Sequence, residues 1–359
     1  MIAEAAPAAS VYDRVAERLD ALVPVFELDA SRTAIARTYE ALCRESLAVP
    51  AGHRPLHPSR LNADGTPFQL SLTLDGSSPA LQFLTEVGSL AATNAERLAA
   101  ARDAIDELAQ LFGAESSLPR VRALLDEAAP PDDRDLLADE AGALWLGAAF
   151  APGGRTGLKV YVNAKWGEEG ARRARLATFA AGIGVEAEWR AVEALTRGDL
   201  EPLGVSLSVI AGSQPTARIY LSGYGRRFAD YEALARECAG AGFDDCLRSY
   251  GKTLLAENYD RPTRSAVWSF GTSGGSLSDV KLELCGHCAF DNDLQARTRC
   301  VACLRQLDIS SERYLAVVGL LSGGLERRRD AILHAYVGVG LKQHKRYATF
   351  YFNPAAGWR

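Results

Sequence analysis

Gly157-Leu158-Lys159-Val160-Tyr161-Val162-Asn163-Ala164 is the stretch on which the fold turns. Side chains along a strand alternate between two faces. Leu158, Val160 and Val162 therefore share one face, and Lys159, Tyr161 and Asn163 share the other. Thr216-Ala217-Arg218-Ile219-Tyr220-Leu221-Ser222 repeats the pattern, with Ala217, Ile219 and Leu221 opposing Arg218, Tyr220 and Ser222. Val280, Leu282 and Leu284 oppose Lys281 and Glu283; Phe350 and Phe352 oppose Thr349 and Tyr351; Phe68, Leu70, Leu72 and Leu74 oppose Gln69, Ser71 and Thr73. Each strand thus has an apolar face and a polar one, and the polar faces repeat the same chemistry.

These strands come in pairs. Hairpins are expected at residues 66–74 with 80–86, 143–150 with 157–164, 204–210 with 217–222, 265–270 with 279–284, and 331–341 with 346–353. The joints are rich in Gly, Pro, Ser and Asp, among them Pro152-Gly153-Gly154 and Gly212-Ser213-Gln214-Pro215, which supply turn geometry. Helical periodicity falls between the pairs, at 92–112, 168–181, 186–196, 228–239 and 310–321, and at 11–22 and 32–46 ahead of the first hairpin. Hairpins do not make parallel βαβ units, so a doubly wound nucleotide fold is excluded. Two arrangements fit ten antiparallel strands. One is an open sheet with helices on its apolar face and water on the other. The other is a closed barrel with helices outside and the polar faces lining a lumen, which removes exposed edges and leaves room for a ligand. The expected class is α+β, a ten-stranded antiparallel β-barrel of five hairpins wrapped by helices. No linker splits it, so residues 11–359 read as one domain behind a disordered lead-in at 1–10.

The chain has 359 residues and a formal net charge of −5, so no global basic field draws nucleic acid or an anionic membrane. An anion site has to be built locally. The N-terminus lacks the basic and apolar regions of a signal peptide. Seven cysteines, an odd number, then point to reduced thiols in a cytoplasm. If the strands share a lumen, Lys159, Arg218 and Lys281 converge there with Tyr161, Tyr220 and Tyr351. Clustered Lys and Arg suit a diphosphate. Tyrosine faces stabilise a carbocation by roughly 0.5–2 kcal/mol each and exclude the water that would capture it. Trp145 and Trp268 lie on strands, where they can stack on an aromatic substrate or pack in the core.

These motifs resemble the indole, or dimethylallyltryptophan-synthase-type, aromatic prenyltransferases, whose repeated helix–helix–strand–strand units close a ten-stranded barrel (the ABBA or PT-barrel). The resemblance runs from about Val11 to the C-terminus and lies in order and spacing more than in any single motif. The family's Lys-x-Tyr strand is similar to Lys159-Val160-Tyr161. Its Arg-x-Lys-x-Tyr strand is similar to Thr216-Ala217-Arg218-Ile219-Tyr220, its later diphosphate strand to Val280-Lys281-Leu282-Glu283, and its closing strand to Tyr347-Ala348-Thr349-Phe350-Tyr351-Phe352-Asn353-Pro354. The resemblance implies an enzyme of secondary metabolism. It would move a dimethylallyl or longer prenyl group from an allylic diphosphate to an indole-containing molecule such as tryptophan, by Friedel–Crafts-type or N-alkylation, with no cofactor and no magnesium. It implies diphosphate binding by Gln82, Lys159, Arg218 and Lys281, and a cation shield of Tyr161, Tyr220 and Tyr351. Its partners would be those two small molecules, with no nucleic acid and no membrane, and the chain would be a monomer or homodimer.

Departures from the family pattern narrow the chemistry. The family's Thr/Ser-Pro-x-Glu reads Thr66-Pro67-Phe68-Gln69 here. Gln69 accepts a hydrogen bond from the acceptor but has no carboxylate with which to act as a base. Gln82 stands where an arginine is usual, Thr216 replaces the first arginine of its strand and Arg218 the lysine. The lysine of members that alkylate tryptophan at C4 has no counterpart in 143–150. Indole nitrogen, another ring carbon, a modified indole or a phenolic acceptor stay open, with Glu283 or His334 as proton acceptor. A non-catalytic small-molecule-binding barrel is the rival class. Cys285-Gly286-His287-Cys288 and Cys300-Val301-Ala302-Cys303 form CxxC-x11-CxxC, a spacing suited to a structural zinc on Cys285, Cys288, Cys300 and Cys303. The same thiols also read as small buried side chains. Arg327-Arg328-Arg329 reads as a solvated connection, and Gly271-Thr272-Ser273-Gly274-Gly275 as a hairpin turn without the following lysine of a phosphate loop.

Overall fold

The computed structural model describes residues 10–50, 58–59, 61–75, 80–89, 91–128, 142, 144–239, 242–273, 275–323 and 333–354. All but the last residue of the lead-in at 1–10, and the whole of the Arg327–Arg329 run, lie outside them. Five hairpins form: β1 Phe68–Leu74 with β2 Leu81–Thr85, β3 Leu144–Ala151 with β4 Arg155–Asn163, β5 Glu201–Ile210 with β6 Thr216–Gly223, β7 Ala266–Ser273 with β8 Ser276–Cys285, and β9 His334–Lys342 with β10 Lys345–Phe352. Turn chemistry is visible at the joints. Gly153 and Gly154 adopt φ of +80° and +76° between β3 and β4. Gln343 and His344 adopt +48° and +66° in the two-residue loop between β9 and β10, where positive φ at both positions matches the twist of the flanking strands.

The strands close into a barrel in the order β1-β10-β9-β8-β7-β6-β5-β4-β3-β2. Closure is made by antiparallel pairing of the first strand with the last, Leu70 opposite Phe352, Leu72 opposite Phe350 and Leu74 opposite Ala348. The open-sheet alternative is thereby excluded, and no named strand is left with an unpaired edge.

The alternation in the sequence sets which face points where. Leu70, Leu72, Leu146, Leu158, Val160, Ile219, Leu282, Val339 and Phe350 face outward and are buried under helices. Tyr39, Phe68, Phe83 and Phe150 form a continuous aromatic run on one side of this layer, with ring centroids 5.6–6.1 Å apart from each ring to the next. Tyr314, Phe350 and Phe352 form another, the first pair 4.6 Å apart. The covering helices include Val11–Leu22 and Asn94–Phe112, each opened by a reciprocal capping box, Ser10 with Asp13 and Thr93 with Glu96.

Among the described residues, three helices longer than one turn escaped the sequence reading, Leu118–Ala128, Phe243–Leu255 and Asp293–Gln306. Leu118–Ala128 carries Pro119, which reads as a breaker but falls in the first turn, where a missing N–H is tolerated. Phe243–Leu255 contains the weak helix formers Ser249, Tyr250, Gly251 and Thr253. Its Gly251 is dictated by packing, since a Cβ there would sit 2.2 Å from the Phe228 ring.

Phe352 is fully buried in the closing strand. Phe352→Ala is expected to cost about 3–5 kcal/mol, measured by urea unfolding; a loss below about 1 kcal/mol would mean that the β1–β10 seam does not hold the barrel shut.

Candidate active site

The polar faces enclose a cavity of about 640 Å³. Its width has a local cause. Each lumen cation lies across the ladder from a glycine: Lys159 opposite Gly147, Arg218 opposite Gly271, Lys281 opposite Gly340. On their other sides stand Ser208, Ser206 and Ser269. A Cβ at Gly271 would come within 2.9 Å of the Arg218 guanidinium, and one at Gly340 within 2.3 Å of the Tyr347 ring. Long side chains therefore reach inward over small ones, and the space between them is left for a ligand.

The lining is layered along the barrel axis. Arg155, Lys342 and Lys345 stand exposed at one rim. One step in, Lys159 donates to the Oε1 of Gln82. Arg218 donates to Ser269 Oγ at 2.8 Å and is ion-paired with Asp279, which also accepts from the Tyr347 hydroxyl at 2.6 Å. Deeper, the tyrosines make a floor. Tyr161 and Tyr220 tilt together with centroids 6.0 Å apart, and Tyr220 bonds Ser206 at 3.1 Å. Lys281 Nζ donates to Tyr351 at 2.9 Å and stands 5.3 Å from the centre of its ring. Glu283, buried beneath, is ion-paired with Lys281 at 2.5 Å. Gln69 shares the Ser71 face of β1, and both of its amide N–H donors are used, on Leu61 O at 2.7 Å and Asn62 Oδ1 at 2.9 Å. The Gln69 carbonyl oxygen is the atom that remains for a ligand.

Electrostatics follow from this enclosure. Burial, with Lys281, Arg218 and Lys342 adding like charge, holds the Lys159 ammonium down at about 7. Lys281 is lowered by burial in spite of Glu283. Burial, with Glu283, pushes the Tyr161 phenol up to about 12, so it stays a neutral ring.

The residues singled out from the sequence thus meet: Gln82, Lys159, Arg218, Lys281, Tyr161, Tyr220 and Tyr351 all line the one cavity, with Gln69 and Glu283 on the same face just below. Thr216 lies at the rim. His334 does not join them. It is buried in the helix layer, with Nδ1 2.9 Å from Asp293 and Nε2 2.9 Å from the Tyr314 hydroxyl, where a register shift between Tyr351 and Phe352 sets it opposite outward-facing Phe352. Trp268 faces outward as well, against Tyr231 and Phe270, since its parity on β7 is that of Ala266 and Phe270. Trp145 lies on the lumen face, opposite Tyr161. Sequence reasoning missed Asp279, Tyr347 and the rim cations; stepping back by two from Lys281 and from Thr349 reaches the first pair.

The four-cysteine arrangement is also corrected. Cys285, His287 and Cys288 gather with their ligand atoms within 4.8 Å of one another. Cys300 and Cys303 do not join the group. They lie on the inner face of the helix Asp293–Gln306 and are buried, with Cys303 Sγ 3.8 Å from the Tyr250 carbonyl.

No family model matches the chain, and no curated protein matches it. Solved structures do. 5-Dimethylallyltryptophan synthase from Streptomyces coelicolor superposes with a TM-score of 0.84 at 19% identity, covering 98% of this chain and 99% of that one. 6-Dimethylallyltryptophan synthase from Micromonospora olivasterospora, in complex with DMASPP and Trp, gives 0.82 at 20% identity over 98% and 99%. The prenyltransferase PriB, in its ternary complex with L-tryptophan and dimethylallyl thiolodiphosphate, gives 0.80 at 24% identity over 98% of each chain. The fold is that of the tryptophan prenyltransferases. The shared architecture extends to the helices outside the barrel, since coverage is nearly complete at both chains' full length. No described helix is long and apolar enough to cross a membrane.

A buried lysine whose pKa is near 7 gives the cavity a pH signature. An anion beside Lys159 favours its charged form, so its pKa is higher in the complex than in the free protein. Binding of inorganic diphosphate above pH 7 then draws a proton onto Lys159, and this lysine's contribution to affinity, complete below pH 7, weakens as the pH rises. Calorimetry at pH 8 in two buffers of different ionisation heat should show wild type taking up close to one proton more than Lys159→Met. Equal uptake by the two proteins would place the titrating group elsewhere.

Proposed function

We propose that the chain is an aromatic prenyltransferase of the cytoplasm that alkylates an indole-containing small molecule with an allylic diphosphate. The observation that carries this reading is one cavity lined together by Lys159, Arg218, Lys281, Tyr161, Tyr220 and Tyr351. The fold shared with dimethylallyltryptophan synthases supports it. Seven unpaired thiols suit a reducing compartment.

The diphosphate enters past Arg155, Lys342 and Lys345 and binds against Lys159, Arg218 and Lys281, with Gln82 holding Lys159 in place. Heterolysis of the allylic C–O bond leaves the electron pair on the diphosphate, where these cations stabilise the developing charge. The allylic cation forms over the rings of Tyr161, Tyr220 and Tyr351, which offer π-faces and no nucleophile. The acceptor ring attacks, a new bond to the prenyl carbon forms, and a proton leaves the ring. Gln69 positions an indole N–H through its carbonyl oxygen and takes no proton. In this reading Glu283, beside Lys281 on the same face of β8, receives the proton.

The test is incubation with dimethylallyl or geranyl diphosphate and a panel of indoles and phenols in EDTA, read by mass spectrometry. A prenylated indole is the expected product. Lys281→Ala should lower kcat/KM for the diphosphate by about 10²–10³, the scale of losing one preorganised donor, with the melting transition retained. Absence of product across the panel, or full activity in the variant, would reject the assignment.

A further inference from the structure

The Cys285–His287–Cys288 group lies at the end of the barrel opposite the cationic rim, where β8 runs out. Nothing in the proposed chemistry uses it. We propose that it is a zinc site with three protein ligands: the thiolates of Cys285 and Cys288 and the imidazole of His287.

Three donors come from four consecutive residues, which is unusual for a chain segment unless the backbone is bent to gather them. The bend here is enforced. Gly286 packs so tightly on β9 that a Cβ would lie 1.8 Å from the His334 carbonyl oxygen, so only glycine fits where β8 gives way to the turn. The following short helical turn, Gly286–Ala289, brings Cys288 back beside Cys285. Cys285 Sγ lies 2.8 Å from His287 Nδ1. Across a tetrahedral zinc, with Zn–S about 2.3 Å and Zn–N about 2.0–2.1 Å, that separation is about 3.5 Å. A shift of less than ~1 Å at an exposed imidazole accommodates the ion.

The donor chemistry selects the metal class. Two thiolates and one imidazole favour zinc over magnesium or calcium, which prefer oxygen. Two thiolates also neutralise the dication, so a half-buried site carries no uncompensated charge. Cys285 is buried, while Cys288 is half-buried and His287 exposed, which gives an entry path and leaves a fourth position to water. Binding releases the thiol protons. The site is distinct from the cavity: the ion would tie the end of β8 to its turn, at the register where Cys285 faces Tyr336 of β9.

The experiment is a zinc titration of the reduced full-length chain under argon against a chromophoric chelator, with cobalt substitution read by absorption. One equivalent of zinc is expected, and the cobalt form should show thiolate-to-metal charge transfer and tetrahedral d–d bands. Cys288→Ser and His287→Ala, both at accessible positions, should weaken binding by more than the roughly 10–100-fold that loss of an outer-shell partner costs. Cys300→Ala and Cys303→Ala should bind as wild type. Three results would each overturn the proposal: less than stoichiometric uptake while alkylation shows both thiols free, uptake indifferent to Cys288→Ser, or uptake lost in Cys300→Ala. None of these readouts requires turnover, so the outcome is independent of the prenyl-transfer reading.

Discussion

Pairing of β1 with β10 is the constraint from which the rest of the architecture follows. Until those two strands meet, Lys159, Arg218 and Lys281 are side chains on the wet face of a sheet. A lysine there keeps its ordinary pKa and its full hydration. Once they meet, the same residues are enclosed, water is replaced by serines, tyrosines and two carboxylates, and the lysines become costly to keep charged. The ligand-binding character of the cavity is therefore a product of topology as much as of residue type. The contacts that hold the seam are apolar and lie on the far side of the sheet, Leu70 with Phe352 and Leu72 with Phe350. Function inside the barrel thus depends on packing outside it.

A division of labour runs through every strand. Odd-numbered positions of β1, β3, β7, β8 and β10 face the lumen, as do Gln82, Arg218, Tyr220, Gly204 and Ser206 on other strands, and their neighbours in sequence face the helices. The three lumen cations are each set opposite a glycine, so their bulk does not fill the interior. A barrel with bulky residues at both partners of each pair would be a packed core. The alternation of large with small across the ladder makes a vessel instead.

Much of this was legible in the chain because a strand exposes its period directly. The Lys159-x-Tyr161 and Arg218-x-Tyr220 spacings assigned both residues of each pair to one face, and the hairpin joints gave the order of pairing. The strand pattern alone left closure open against a flat sheet, since closure depends on contact between residues almost three hundred positions apart; the resemblance in motif order is what favoured the barrel that forms. The helix Phe243–Leu255 was hidden for the related reason that its Gly251 answers to Phe228 across the interface and not to local propensity. His334 shows the limit from the other side. A histidine near the closing strands carried no mark of the face it would take, and the structure commits both of its nitrogens to Tyr314 and Asp293 in the helix layer. The CxxC pairs misled because spacing along the chain is blind to direction. One pair ends a strand and the other rides the inner face of a helix.

Asp279 and Glu283 give the cavity an anionic component that a pure diphosphate trap would lack. Each already neutralises one of the cations a diphosphate would use, Arg218 in one case and Lys281 in the other. An incoming phosphate group must compete with a resident carboxylate, and an outgoing one leaves behind a cation whose replacement partner is waiting. For the proposed prenyl transfer, which would take in one highly charged anion and discharge another each cycle, such a shallow well would trade occupancy for turnover and leave the spent leaving group less apt to poison the site.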